Sequence, residues 1–296
     1  MDLPASVTAL GEQLGGTGEI VPDAALFSEA AVFAAERERI FAQPWIAADH
    51  ATRLAENGRY FRFDADSRSI IVTRDDEGRL HALRNVCIHA GYPVCDAEEG
   101  AAERLMCPYH GWEYALDGRL VEPELSSRID PARLRMTRYP VSVRDGLLFV
   151  APSPGPVSDE SIAGPLPAWL ADGKVTKRAS YNTTWNWKFL LYLLGSRPPL
   201  FFAESLNGQD SCLEFGPLSR ITINSERALL LRVIPRFAER TDLQVIEIAA
   251  PDTSPEMSPP VASDPVADVL GRAGVPSSSE LGREFFSWYW SLMSPT

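Results

Sequence analysis

Two short stretches, C-x-H at Cys87 and His89 and C-x-x-H at Cys107 and His110, constrain this chain more than anything else in it. They stand seventeen residues apart and use two of the four cysteines and two of the four histidines. Thiolate and imidazole are the softer protein ligands for transition metals, and crowding them into one short region points to a metal rather than to disulfides. Each stretch carries a glycine just after its histidine, Gly91 and Gly111, and Pro108 stiffens the second. Glycine there permits a tight backbone turn with N–H groups aimed at bound sulfur. Any fold for this chain must therefore present two tight loops side by side, each offering one sulfur and one nitrogen.

Two metal centres use such a donor set. A structural zinc ion accepts two cysteines and two histidines, but its usual spacings pair like with like, as C-x₂₋₄-C and H-x₃₋₅-H. The alternating order suits a [2Fe-2S] cluster in which Cys87 and Cys107 hold one iron and His89 and His110 the other. Neutral imidazoles in place of two thiolates make such a cluster less negative and easier to reduce.

The flanking sequence reads as short strands. "RYFRFD", "RSIIVTRD" and "LHALRNVC" precede the first loop, separated by turn signals such as Asp76-Glu77-Gly78. "RLMCPY", "WEYAL" and "GLLFVAP" follow, so residues 46–152 read as a small all-β domain. Before it, residues 1–45 form a helical segment, with a helix predicted from Ser28 as cap through Phe33, Ile40 and Phe41. The Pro/Gly/Ser-rich run after Ala151 reads as a linker, and "TTWNWKFLLYLLG" as a helix apolar almost all round, hence buried. "SRITINS", "RALLLRVIPR" and "DLQVIEIAA" read as strands, the last two as a hairpin. Residues 251–280 hold six prolines and many serines and are assigned no structure, and a helix "LGREFFSWYWSLM" follows.

Composition narrows the partners. A net charge of −12 with no basic stripe argues against nucleic acid and anionic membrane surfaces. No apolar run approaches membrane-spanning length, and the N-terminus lacks the layout of a signal peptide, so a cytoplasmic location is expected. Cys95 and Cys212 read as buried thiols, and His50 and His81 as ordinary domain residues.

"CIHAGYPVC…CPYHGWEYALDGRL", with "ERERIFAQPWIAADH", "GRLHALRNVCIH" and "WNWK" in order, resembles the Rieske non-haem iron oxygenases. The resemblance implies an α+β protein: an all-β Rieske domain (46–152) inserted near the start of a truncated helix-grip, START-like antiparallel sheet domain (153–296), assembled in head-to-tail trimers. The respiratory Rieske proteins match less well, because their disulfide-forming cysteines would stand at Tyr92 and Tyr109. Ala90 departs from the arginine that the oxygenases usually carry after the first histidine.

The resemblance also implies a second site, a mononuclear iron held by two histidines and a carboxylate. Counted from Asn186, the family's acidic or amide residue, bridging carboxylate and two ligand histidines would fall at Tyr192, Ser196, Pro199 and Glu204, and none matches. No histidine exists beyond His110, and Pro198-Pro199 would interrupt the presenting helix. Glu204, Asp210 and Cys212 are the only nearby replacement ligands, and they include no imidazole. The expectation is therefore a [2Fe-2S] cluster with no mononuclear iron and no catalytic residues. Such a chain would be the electron-transfer and assembly subunit of a trimer-based hetero-oligomer. Its partners would be a Rieske oxygenase-like subunit with an intact iron site and a reductase or ferredoxin. The exposed edge of His89 or His110 would be the electron's exit. Two alternatives stay open: a homomeric enzyme whose pocket, lined by Trp185, Trp187, Phe201 and Phe202, works without that iron, and a scaffold with a relic cluster.

Overall fold

The computed structural model describes residues 2–41, 45–65, 68–121, 134–152, 166–196, 211–253 and 281–294. The chain divides into two compact units, one made of residues 1–42 and 176–296 and the other of the intervening residues 43–175. Both are sheet-dominated, and among the described residues the α-helices lie in the first while the second has only short 3-10 turns, so the protein is α+β.

Every named strand pairing in the inserted unit is antiparallel. One sheet runs in the order β5(Glu99–Ala101), β2(Arg59–Ala65), β3(Arg68–Arg74), β4(Leu80–Arg84), β9(Arg138–Tyr139). A second is β1(Ile46–His50), β11(Leu147–Val150), β10(Val141–Arg144), and a third β6(Arg104–Met106), β7(Glu113–Ala115), β8(Leu120–Val121). The β2–β3 hairpin shows why these residues choose strand. Phe61, Phe63 and Ala65 alternate inward while Arg62 and Asp64 do not, the period-2 signature of a half-buried strand. Ile70, Val72, Phe61, Phe63 and Leu148 share one apolar cluster, and Ile71, Leu83, Cys87, Cys107 and Tyr114 share another beneath the two cysteine loops.

The other unit is a five-stranded antiparallel sheet in the order β12(Lys174–Thr183), β16(Arg240–Ala249), β15(Arg227–Phe237), β14(Ser219–Ile223), β13(Ser211–Glu214). Among the described residues its helices are α1(Ala5–Gly15), α2(Ala25–Ser28), α3(Ala30–Arg39), α4(Trp187–Ser196) and α5(Gly282–Met293). Leu229, Leu231 and Val233 of β15 pack with Leu190, Leu194, Phe286 and Met293 from α4 and α5.

The tripeptide Asn186-Trp187-Lys188 fastens this unit. Asn186 caps α4 by accepting the Lys188 N–H at 2.9 Å and donates to the Phe27 carbonyl at 2.8 Å. Lys188, fully buried, forms an ion pair with buried Glu36 of α3, and its ammonium donates to the Leu26 carbonyl at 2.7 Å. The rings of Phe27, Trp187 and Tyr289 surround that ammonium at 5.4, 5.2 and 4.9 Å. Glu36 also accepts from Trp187 Nε1 and Tyr289 Oη, both at 2.8 Å, so the buried carboxylate is hydrogen-bonded on both oxygens. Burial lowers the Lys188 pKa against the opposing pull of Glu36, and it raises that of Tyr289, where Glu36 adds to the effect.

Several elements differ from the sequence reading. Ser28 does not cap a single helix running through Phe41. It ends α2, its hydroxyl bonds back to the Ala24 carbonyl at 3.2 Å, and α3 stops at Arg39. The helix expected from Thr183 begins at Trp187, because Thr183 closes β12. Cys212 is exposed, not buried, since among the described residues β13 is an edge strand paired with β14 alone. No helix among the described residues is long and apolar enough to cross a membrane.

Candidate metal centre

The first cysteine loop leaves β4 and closes on itself: the Cys87 N–H donates to the Tyr92 carbonyl at 2.8 Å, and the Gly91 N–H to the Cys87 carbonyl at 2.9 Å. The second, between β6 and β7, repeats the pattern twenty residues on, with Cys107 N–H to Trp112 carbonyl at 2.8 Å and Gly111 N–H to Cys107 carbonyl at 3.0 Å. The glycines have φ of +74° and +72°, a left-handed conformation that a side chain would strain, which explains the glycine in each loop. Asn85 pins the exit of the first loop. Its amide oxygen accepts from the N–H groups of Val94 and Cys95, each at 2.9 Å, and its amide nitrogen donates to the Cys95 carbonyl at 2.7 Å.

The two loops bring all four sequence-predicted residues together and sort them by depth. Cys87 and Cys107 are each 2% exposed and belong to the core beneath. His89 and His110 are exposed, their ring centroids 4.7 Å apart. A site with sulfur inside and imidazole at the surface fits a binuclear cluster with one buried iron and one outward-facing iron. Among the described residues, no three or more His, Cys, Asp or Glu side chains are grouped to hold a single metal ion. A [2Fe-2S] centre asks for two protein ligands on each iron, a number that two cysteines and two histidines would meet.

The surroundings favour the thiolate. Burial pushes the Cys87 thiol up, but hydrogen bonds from Tyr114 Oη, from the backbone of His89 and Ala90 and from Cys107 outweigh it, so the pKa lies below the usual thiol value. Tyr114, fully buried on β7, places its oxygen 3.1 Å from Cys87 Sγ and accepts the Ile88 N–H at 3.2 Å. With that N–H occupying an acceptor position, the phenol proton is directed to the sulfur. Burial, and then the bond to Cys87, raise the Tyr114 pKa well above its ordinary value. Trp112 stacks on His89 with centroids 4.6 Å apart and planes 8° apart.

Sequence reasoning singles out the four candidate ligands, which the structure places on two adjacent loops, and misses Tyr114, Trp112 and Asn85. The one local signal for Tyr114 is its inward position in the period-2 pattern of "WEYAL". Cys95 is buried, 9% exposed, with its thiol directed to the Ala97 carbonyl at 3.5 Å. His81 Nε2 meets Asp75 at 2.8 Å while its Nδ1 accepts from Arg138 at 2.8 Å. His50 bonds the Leu170 carbonyl and Thr52 Oγ1, each at 2.8 Å. Both rings are spent on holding the fold.

A model of the Rieske [2Fe-2S] domain matches residues 44–138. The glycine betaine monooxygenase oxygenase subunit of Chromohalobacter salexigens is 30% identical over 172 residues, 56% of this chain and 39% of that protein. Residues 44–138 thus match a Rieske domain, and the chain around them is similar to Rieske oxygenase alpha subunits. Its fold is that of a quaternary ammonium Rieske monooxygenase solved with L-carnitine, at a TM-score of 0.71 and 20% identity over 91% of this chain and 94% of that one. The Rhodococcus sp. naphthalene 1,2-dioxygenase bound to indole follows at 0.64 and 17% identity, covering 98% and 87%. The Rieske-oxygenase-like chain spans less than half the length of the curated relative it matches. The Rieske domain implies a [2Fe-2S] cluster, and Cys87, Cys107, His89 and His110 have the donor chemistry and burial to hold it.

The second site looks different. Tyr192 lies on α4, its ring 6.3 Å from that of Phe285 in an edge-on contact, and Ser196 is the last residue of the same helix. Pro199, Glu204, Asp210, Phe201 and Phe202 lie outside the described residues. A cavity of about 470 Å³ opens beside α4, lined by Tyr192, Phe285, Trp288, Leu231, Glu214 and Glu284 among others. Trp187, expected to line such a pocket, is instead wholly buried in the core. The cavity offers two carboxylates and a phenol, and the chain has no histidine after His110 with which to complete a two-histidine iron site.

Proposed function

We propose that this chain is the electron-delivering and assembly subunit of a heteromeric Rieske oxygenase, with the oxygen-activating iron carried by a partner subunit. The domain assignment that goes with this reading is a helical segment at 1–45, the Rieske domain at 46–152 and a degenerate helix-grip domain at 153–296. The single observation that carries it is the contrast between two sites in one chain. The cysteine loops keep four ligands of the right chemistry at the right depth, whereas the counted iron positions are Tyr192, Ser196, Pro199 and Glu204.

A bound [2Fe-2S] cluster supplies a one-electron carrier. The chain's own residues do the rest. Cys87 and Cys107 would hold the cluster from the core, with Tyr114 and the backbone N–H groups of His89 and Ala90 neutralising thiolate charge, and His89 and His110 would hold it from the surface. Exposed imidazole edges give a partner a short route to the redox centre, and the matched carnitine-oxidising structure is described with inter-subunit electron transfer. Head-to-tail association would set those edges against the iron-bearing subunit, with a reductase or ferredoxin as the source of electrons.

The test is reconstitution. Alone with a reductase and O₂, the chain is expected to accept electrons and oxygenate nothing. Mixed with an iron-bearing Rieske oxygenase subunit, it should support turnover that Cys87→Ala in this chain lowers. Turnover indifferent to Cys87→Ala would remove the electron-delivering role.

The cavity favours a second reading, a homomeric enzyme that works in the helix-grip pocket without a two-histidine iron. Its volume is that of a small-molecule site, and its lining combines apolar walls with a few charged groups. Product formation by the isolated chain would select that reading.

A further inference from the structure

The two cysteine loops close on themselves through backbone bonds, so something else must set them against each other. At their base Tyr114 does so, reaching from β7 to Cys87 and Ile88. At the tip stand Tyr92 and Tyr109, 45% and 58% exposed, aromatic rings spent at the surface. They meet across the loops, with centroids 5.3 Å apart and planes 29° apart. Tyr92 is the residue whose carbonyl closes the first loop, so its ring is rigidly tied to the Cys87 backbone. Tyr109 precedes His110, and its ring centroid lies 3.9 Å from the imidazole's. A series of ring contacts therefore runs Tyr92, Tyr109, His110, His89, Trp112, crossing between the loops at the tyrosine pair, at the histidines and at the His89–Trp112 stack.

We propose that the Tyr92–Tyr109 stack is the tip clasp of the site, a positioning pair that fixes the His110 ring relative to His89. The proposal rests on the reading of this site as a [2Fe-2S] centre. The physical argument is one of constraint. Exposed imidazoles on two separate loops have solvent on one side and would sample several orientations. A stacked pair costs little entropy, because each tyrosine has only two side-chain torsions to fix. Neither hydroxyl is needed, so the ring face is the working part.

The experiment is a double-mutant cycle on the cluster-loaded full chain, comparing wild type, Tyr92→Ala, Tyr109→Ala and the double variant. Two readouts are taken: the rate at which visible cluster absorbance is lost to a chelator, and the g-values and linewidths of the reduced protein in electron paramagnetic resonance. Each single variant should lose its cluster about 2- to 12-fold faster, the span expected for one aromatic pair. The double variant should be no faster than the worse single, and all three should share the same broadened spectrum. Tyr92→Phe and Tyr109→Phe should restore both readouts. If Tyr92→Ala does not fold, Tyr92→Leu, which keeps bulk without a ring, takes its place. Loss rates that multiply in the double variant, or alanine variants with the wild-type rate and spectrum, would overturn the clasp. A wild-type protein that takes up no iron and sulfide would overturn the cluster reading beneath it, which is a separate and recognisable failure.

Discussion

Removing the Tyr114 hydroxyl should lower the midpoint potential of this protein without removing its cluster. Tyr114→Phe keeps the buried ring that packs against Leu83, Leu105 and Met136, and deletes the oxygen 3.1 Å from Cys87 Sγ. A hydrogen bond to a charged acceptor contributes ~1.5–3 kcal/mol. The reduced centre carries one more negative charge, so the bond is stronger in that state, and a difference of about one third to one half of the total is ~1 kcal/mol. For a one-electron couple a tenfold change in equilibrium is 59 mV, so ~1 kcal/mol corresponds to about 40 mV. Protein-film voltammetry on wild type and Tyr114→Phe, with iron and sulfide measured on both, reads this directly. A fully loaded variant whose midpoint coincides with wild type, or lies above it, would refute the role given to the phenol.

Further outcomes are expected. Purified protein should be red-brown with about two irons and two acid-labile sulfides per chain, and Cys107→Ala or His110→Ala should bleach it; one zinc per chain with no sulfide would contradict the assignment. The midpoint itself should fall in the lower part of the Rieske span of roughly −150 to +300 mV. Lys188→Met, which strands Glu36 in the core, should cost ~3–5 kcal/mol in a chemical or thermal melt, and pairing it with Glu36→Gln should recover much of that loss. Acid stability should depend on Asp75. Burial raises its carboxyl pKa, but bonds from His81 and Arg79 outweigh that and hold it below the ordinary carboxylate value. A depressed native pKa gives stability that is present above the unfolded value of ~3.9 and is lost as pH falls through the native one. Asp75→Asn should therefore lower stability at neutral pH and flatten its decline below about pH 4.

The cluster site was legible because its chemistry is local. Four candidate ligands within a short stretch, each pair followed by a glycine, need no tertiary information to be singled out. The hairpin of β15 and β16 was legible too, since Leu231 and Val233 lie opposite Val245 and Leu243 in runs that are apolar and buried along most of their length. What escaped depends on distance in sequence. Tyr114 meets Cys87 across 27 positions, and nothing near either residue announces the contact. Strand β12 was hidden for another reason: it is a sheet edge with no fully buried residue, and its polar run was assigned to no element. The N-W-K tripeptide was visible as a resemblance, but its work became clear only with Glu36, which lies 151 residues before Trp187. Cys212 was misjudged because buried cysteines are common, and an edge strand is where that tendency fails.

The central claim is that this chain keeps a redox cluster and has no oxygen-activating iron of its own. Mössbauer spectroscopy on protein loaded with ⁵⁷Fe in the presence of excess ferrous ion tests it most directly. The account predicts about two irons per chain, all in one sulfide-bridged pair with distinct sulfur-rich and nitrogen-bearing sites. A third, stoichiometric high-spin ferrous iron bound to the chain would contradict it.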